Sequence, residues 1–234
     1  MATEIDSSSA DAPVGPPTDV DADEVELAED EPRRGLSTWQ IVGLVIVVVV
    51  VAVLATVVVV DRTGSPSQDS VDVGFLQDMI AHHGQAVQLG AIGAETATDP
   101  TTRHFAQEAL IAQQYEVGYM TALLEDWGFD TGDPDRDAMA WMGTPTAVED
   151  MAGMLPDEQV QEFRQMTGAE ANEGFLQLMY QHHEGGLHMA EYAQEHASDP
   201  RVVALATRIA NNQRAELAEY RMAAERQGIT LGDG

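Results

Sequence analysis

Apolar positions follow two different patterns along this chain. Residues 41–60 read IVGLVIVVVVVAVLATVVVV, an uninterrupted apolar run without a single charge. At about 1.5 Å rise per residue such a run matches a hydrocarbon core of about 30 Å, so it predicts a membrane-spanning helix. Its bounds are set at 39–61, with a short polar linker at 62–70. From 71 to 230 the apolar residues instead recur at three- and four-residue intervals, the period of helices that bury one face. Asp99-Pro100 and Asp199-Pro200 each set a capping carboxylate before a proline suited to the first helical turn. Gly128 and Gly228 stand where helices would end. The pattern predicts long helices over about 72–96, 100–127, 169–197 and 200–227. Shorter helices are expected near 134–142 and 156–167, inside the longer connection 129–168. No segment alternates as a half-buried strand would.

The long helices come as a repeat with an offset of 100 residues and no gap. GFLQDMIAHH at 74–83 matches GFLQLMYQHH at 174–183. Glu95, Gln113, Glu116 and Gly128 recur as Glu195, Gln213, Glu216 and Gly228. Each unit, 74–128 or 174–228, is a helical hairpin too small to bury its own apolar face. Two such hairpins predict an all-α, ferritin-like four-helix bundle, with the 129–168 connection as its crossover.

Composition narrows what the bundle can do. The formal net charge is −29, all eleven basic residues are arginine, and there is no cysteine. Lysine chemistry, thiolate metal sites, iron–sulfur clusters and disulfides are excluded. Nucleic acid is an unfavourable partner, because phosphate binding rests on clustered Lys and Arg. A strongly acidic surface concentrates cations instead. Residues 1–38 hold eleven acids and almost no large apolar side chains, which predicts a disordered acidic tail. Arg33 and Arg34 precede the apolar run, so the positive-inside rule puts the tail in the cytoplasm and the bundle outside it. A cleaved signal peptide fits less well, since about forty residues precede a long apolar stretch.

Polar side chains fall on the stripes that should be buried. Phe75, Met79, His82, Ala86 and Leu89 share one stripe of the first helix, and Leu76, Ile80, His83 and Val87 its neighbour. The third long helix repeats this with Phe175, Met179, His182, Gly186 and Met189, then Leu176, Tyr180, His183 and Leu187. Gln113 and Glu116 in the second helix, and Gln213 and Glu216 in the fourth, lie on or beside facing stripes. Burying such groups costs several kcal/mol (about 2–7 per unpaired polar group) unless each finds a partner. Two solutions exist: a hydrogen-bond network of His, Glu and Gln, or a bound metal. Imidazole suits copper, zinc, iron and nickel, while thioether selects soft Cu(I) and its relatives. Met139, Met142, Met151 and Met154 of the connection could add sulfur, although methionine also serves as adaptable packing. Two enzyme motifs fail. His183 and His188 are five apart rather than the four a zinc-protease helix requires, and no Glu-x-x-His of a di-iron bundle occurs.

FLQDMIAHHGQAVQLG and FLQLMYQHHEGGLHMA, each followed by Asp-Pro and then Gln-x-x-Glu, resemble the domain of unknown function 305 over about 71–228. That resemblance implies an exported, ferritin-like helical bundle, in a family with copper- or silver-binding members. It implies candidate metal ligands at Met79, His82, His83, Met179, His182, His183 and Met189. Glu116 and Glu216 join them as the facing carboxylates. The chain departs from the family pattern at Leu89, where the second copy has Met189, and at His188. The resulting expectation is a single-pass cell-membrane protein, anchored through 41–60, that sequesters or hands on copper or silver ions outside the cytoplasm. The rival expectation is an interaction module with a metal-free polar network. A second rival is a redox enzyme using the bound metal, which would need an open coordination position and a substrate pocket; a homo-oligomer is compatible with each reading.

Overall fold

A computed structural model of the chain describes residues 35–133 and 135–232, with residues 57–63 described by their backbone alone. The acidic segment 1–34, and with it Arg33 and Arg34, lies outside the described residues. Helix α1 runs Thr38–Thr63 and contains the apolar run; it is long and apolar enough to cross a membrane. Its described side chains are exposed throughout.

The second unit consists of α2 (Val71–Thr96), α3 (Pro100–Trp127), α4 (Asp157–Gln165), α5 (Gly168–His196) and α6 (Pro200–Gln227). Among the described residues there is no strand. The four long helices match their expected spans to within a residue, because their end signals are local. The Ser70 hydroxyl accepts from the Val73 amide at 3.2 Å, and the Asp99 carboxylate from the Thr102 amide at 2.8 Å. Asp199 accepts from the Arg201 amide at 2.7 Å. Gly128 and Gly228 close α3 and α6 at φ of 83° and 70°. The left-handed conformation there suits glycine, which has no Cβ to clash.

The hairpin α2–α3 packs on α5–α6 chiefly through α2 and α5, which run antiparallel. Two apolar halves result. One holds Phe75, Met79, Met120, Leu124, Met189 and Ile209. The other holds Leu89, Phe163, Phe175, Met179, Leu217 and Tyr220. In every long helix the paired histidines, or the Gln-x-x-Glu, fall between the two halves, so one polar layer crosses the bundle at mid-height.

The repeat also ties the hairpins together in a way the periodicity did not show. Asp72 in α2 accepts from the amides of Ser198 and Asp199 at 3.0 and 2.8 Å, clasping the α5–α6 turn. Its counterpart Asn172 in α5 accepts from Thr98 and Asp99 at 2.8 and 3.0 Å, clasping the α2–α3 turn. Each hairpin thus satisfies the orphan amides at its neighbour's turn.

The crossover departs from expectation. No helix spans 134–142; the described residues there contain a single 3-10 turn at Ala140–Met142. Two forces outcompete the helix. Asp78 draws in the Met139 amide and the Trp141 indole N–H, both at 2.7 Å. Ala138 and Thr146 meanwhile exchange backbone hydrogen bonds at 2.8 and 2.9 Å. A second 3-10 turn follows at Val148–Asp150, and α4 takes the place of the helix expected at 156–167. Gly74 and Gly174, which open the two copies of the repeated motif, let this crossover lie against the bundle. A Cβ on Gly74 would collide with the Trp141 ring, and one on Gly174 would sit 2.9 Å from Phe163.

Candidate metal centre

His82 and His183, with His83 and His182, are fully buried at the crossing of α2 and α5. The His82 and His182 rings lie face to face, 3.7 Å between centroids with a 38° tilt. A residue touches its own symmetry counterpart only where it lies beside the twofold axis, so this pair marks the pseudo-dyad that relates the two repeats. His83 and His183 flank the pair, 6.3 and 6.2 Å from their chain neighbours.

Each outer histidine has a carboxylate on the facing helix. His83 Nε2 lies 2.8 Å from Glu116 Oε2, and His183 Nε2 lies 2.7 Å from Glu216 Oε2. A carboxylate only accepts, so each Nε2 carries the proton and donates it. Burial pushes the Glu216 carboxyl upward, but the hydrogen bond from His183 and the nearby imidazoles of His183 and His83 outweigh it. Glu216 is therefore held below the usual carboxylate range. Glu116 is further steadied by Arg208, whose Nε sits 3.6 Å from its other oxygen.

The inner histidines differ in kind. Burial, reinforced by His83 and His183, pushes His82 well below the ordinary histidine value; burial and His82 do the same to His182. Both are neutral at physiological pH. The backbone of Ala152 approaches His82 without completing a hydrogen bond. Both ring nitrogens of His82 and of His182, and Nδ1 of His83 and of His183, are buried with no hydrogen-bond partner. Gln113 Oε1, both amide atoms of Gln213, and Glu184 Oε2 are likewise unpartnered. Buried polar groups are normally satisfied at nine sites in ten or better, at about 1–3 kcal/mol each, so such a concentration is costly.

The expected methionines divide between the two apolar halves. Antiparallel packing puts Met189 with Met79, and with Met120 and Met151, on one side of the histidine layer. Met179 lies on the other side with Leu89. The structure thus pairs Met189 with the first-repeat methionine and separates it from Met179 of its own stripe. Of the crossover methionines, Met139 and Met151 are buried, while Met142 and Met154 pack partly buried on the same half as Met79. Among the described residues, no three His, Asp or Glu side chains converge closely enough to hold an ion in this conformation.

The sequence model of the domain of unknown function (DUF305) matches residues 72–224. The chain belongs to the DUF305 family. A DUF305 protein of Streptomyces coelicolor, described as a candidate secreted protein, is 30% identical. The match covers 72% of this chain and all of that one, with a TM-score of 0.67. A DUF305 fragment from Deinococcus radiodurans is 28% identical over 70% of this chain and 99% of its own, at a TM-score of 0.59. The Cu(II)-bound form of CopM shares the fold at 17% identity and a TM-score of 0.51, over 67% of this chain and 97% of that one. No functionally curated protein matches the sequence.

In this DUF305 chain three further residues shape the layer: Gly186 stood on the His182 stripe without an assigned role, and Gln85 and Tyr220 were not singled out by the periodicity. Gln85 grips the crossover, donating to the Leu155 carbonyl and accepting from the Leu155 amide, each at 2.8 Å. Gly186 leaves room for the Gln213 amide and for His82 Cε1, each 2.8 Å from where its Cβ would stand. Tyr220 lies 5.4 Å from the His183 ring, its phenol pushed well above the ordinary value by burial and by the charge of Glu216. A usable signal existed. Asp78, Gln85 and Tyr220 all break the repeat, standing opposite Leu178, Gly185 and Met120.

Proposed function

We propose that this protein is a membrane-anchored, extracytoplasmic metal-binding protein whose cargo is a soft cation, copper or silver, held at the central histidine layer. One observation carries the reading: six imidazole nitrogens in a single buried layer have no partner. The outer histidines have the arrangement that metal-ligating imidazoles share, with one ring nitrogen donating to a carboxylate and the other bare. Glu116 and Glu216 then orient His83 and His183 and are not themselves ligands, leaving Nδ1 of each to bind. Neutral His82 and His182 supply further lone pairs once their stacked rings turn apart. Methionine sulfur from Met79 and Met189 on one side of the layer, and from Met179 on the other, favours Cu(I) or Ag(I) over harder ions. Residues 71–234 carry 27 acids against eight arginines, and this acidic surface draws cations toward the bundle. The reading is supported by CopM, which shares the fold and is itself described in a Cu(II)-bound form.

Competition titration of Ag(I) and Cu(I) on the full chain in detergent tests this. His83→Ala combined with His183→Ala is expected to weaken binding by more than about 100-fold, and Glu116→Gln with Glu216→Gln by about 10- to 100-fold. A specific observation favours the metal-free network instead, since the two His–Glu pairs already satisfy one nitrogen each. That reading prevails if the histidine variants lose stability while metal affinity is unchanged.

The apolar helix α1, with Arg33 and Arg34 before it in the sequence, supports a topology with the N-terminus cytoplasmic and the bundle outside. Protease added to intact cells is expected to digest the 71–232 bundle and spare the acidic N-terminus. Recovery of the bundle intact after such treatment reverses the assignment.

A further inference from the structure

We infer that the crossover strap 151–155 is the gate of the histidine chamber and that Gln85 is its latch, so that release of this contact limits exchange of a soft cation with the chamber. This rests on the metal-binding reading and adds the control of access to it.

The layer of four imidazoles is closed to solvent, each with zero exposure. Residues 152–155 run from α5 to α2 across the histidine pair. On the α5 side the strap lies directly on Gly185, where any Cβ would fall on the backbone of Ala152 and Gly153. At Gly153, φ is +82°. A Cβ there would stand 2.5 Å from the His182 carbonyl oxygen and 3.0 Å from His82 Nε2. Glycine at both positions is therefore what lets the strap descend onto the rings. On the α2 side Gln85 holds Leu155 by the two 2.8 Å hydrogen bonds already described. Met151 and Leu155 anchor the strap's ends in opposite apolar halves, each 2% exposed.

The repeat explains why only one such latch is described. Gln85 and Gly185 are equivalent positions, so one repeat supplies the grip and the other the seat. A seat and a grip at the same level need opposite residue types, and a strictly repeated sequence could not provide both. Opening exchanges two hydrogen bonds for water and lifts the strap between its Met151 and Leu155 anchors, while the backbone hydrogen bonds of α2, α3, α5 and α6 stay in place. Opening is thus a local event, far less demanding than unfolding.

The test uses the full chain in detergent. Diethyl pyrocarbonate, which acylates neutral imidazole, is applied to the metal-free protein, and modification is followed at His82 and His182 by mass spectrometry. The exposed His104 and His196 serve as internal standards. Gln85→Ala is expected to raise the rate at His82 and His182 about tenfold or more, with the standards and the helical content unchanged. Uptake of Ag(I) and its release to a competing chelator are expected to accelerate together, leaving affinity nearly the same. Gly185→Ala, which unseats the strap from the other helix, is expected to act in the same direction. If Gly185→Ala does not fold, Gln85→Ala alone decides. Unchanged modification rates at His82 and His182, or unchanged Ag(I) exchange in a variant that still binds it, overturn the gate. Faster modification in a protein that binds no Ag(I) keeps the strap as the cover of the chamber but ends both its role in cation exchange and the metal-binding reading.

Discussion

The metal-free bundle is expected to lose stability steeply as pH falls below about 6.5. His82 and His182 are held neutral by burial, so their folded pKa values lie below 6.5, the ordinary value that the unfolded chain retains. Between the folded and unfolded values the unfolded state binds more protons, and stability therefore falls as pH falls. The contribution is fully present above 6.5 and is lost progressively below it. Each histidine adds a slope of up to about 1.4 kcal/mol per pH unit, so the pair gives up to about 2.7. Glu216 acts in a lower window: its pKa is depressed from 4.5, so the stability it adds is present above 4.5 and lost only as pH drops through the folded value. Urea unfolding at pH 7.5, 6.5 and 5.5, with chelator present, separates these ranges. The parent is expected to lose up to about 2 kcal/mol between the last two, and His82→Leu with His182→Leu to be nearly flat there. An equal slope in both proteins would place the pH sensitivity elsewhere.

The second large effect belongs to Asp78. This carboxylate is 1% exposed and accepts from the Met139 amide, the Trp141 indole and the Arg136 guanidinium. Removing it leaves one cation and two N–H donors without their acceptor at the base of the crossover. Breaking one side of a buried ion pair costs about 3–5 kcal/mol. Asp78→Ala is expected to destabilise the bundle by that amount and to change the Trp141 fluorescence before global unfolding. Asp78→Asn keeps an acceptor and should lose less. A loss under about 1 kcal/mol for Asp78→Ala would show the crossover to be anchored by its apolar contacts alone. Because the strap follows this anchor in the chain, the same variant also reports how far the chamber's cover depends on it.

The four long helices, their ends and the pairing of two hairpins were legible in the amino-acid sequence. Their signals are local: a 3.6-residue period, Asp-Pro at the starts of α3 and α6, and glycine at their ends. The burial of His82, His83, His182 and His183 was legible for the same reason, since stripe position alone decides it. The sequence also offered Glu116 and Glu216 as partners, because an offset of 100 placed both at one level. Tertiary structure alone decided the rest. Antiparallel packing of α2 on α5 moved Met189 to the side of Met79, a choice that no single-helix periodicity contains. Stacking of His82 on His182 arose from the pseudo-dyad between hairpins, and Asp78 overrode the helix expected at 134–142 from across the fold. The strap over the histidines depends on Gln85 and Gly185, ordinary surface types until the crossover, 70 residues away in the case of Gln85, is brought down upon them. Contacts made at such separation depend on where whole helices come to rest, and that is set by packing rather than by any local preference of the chain.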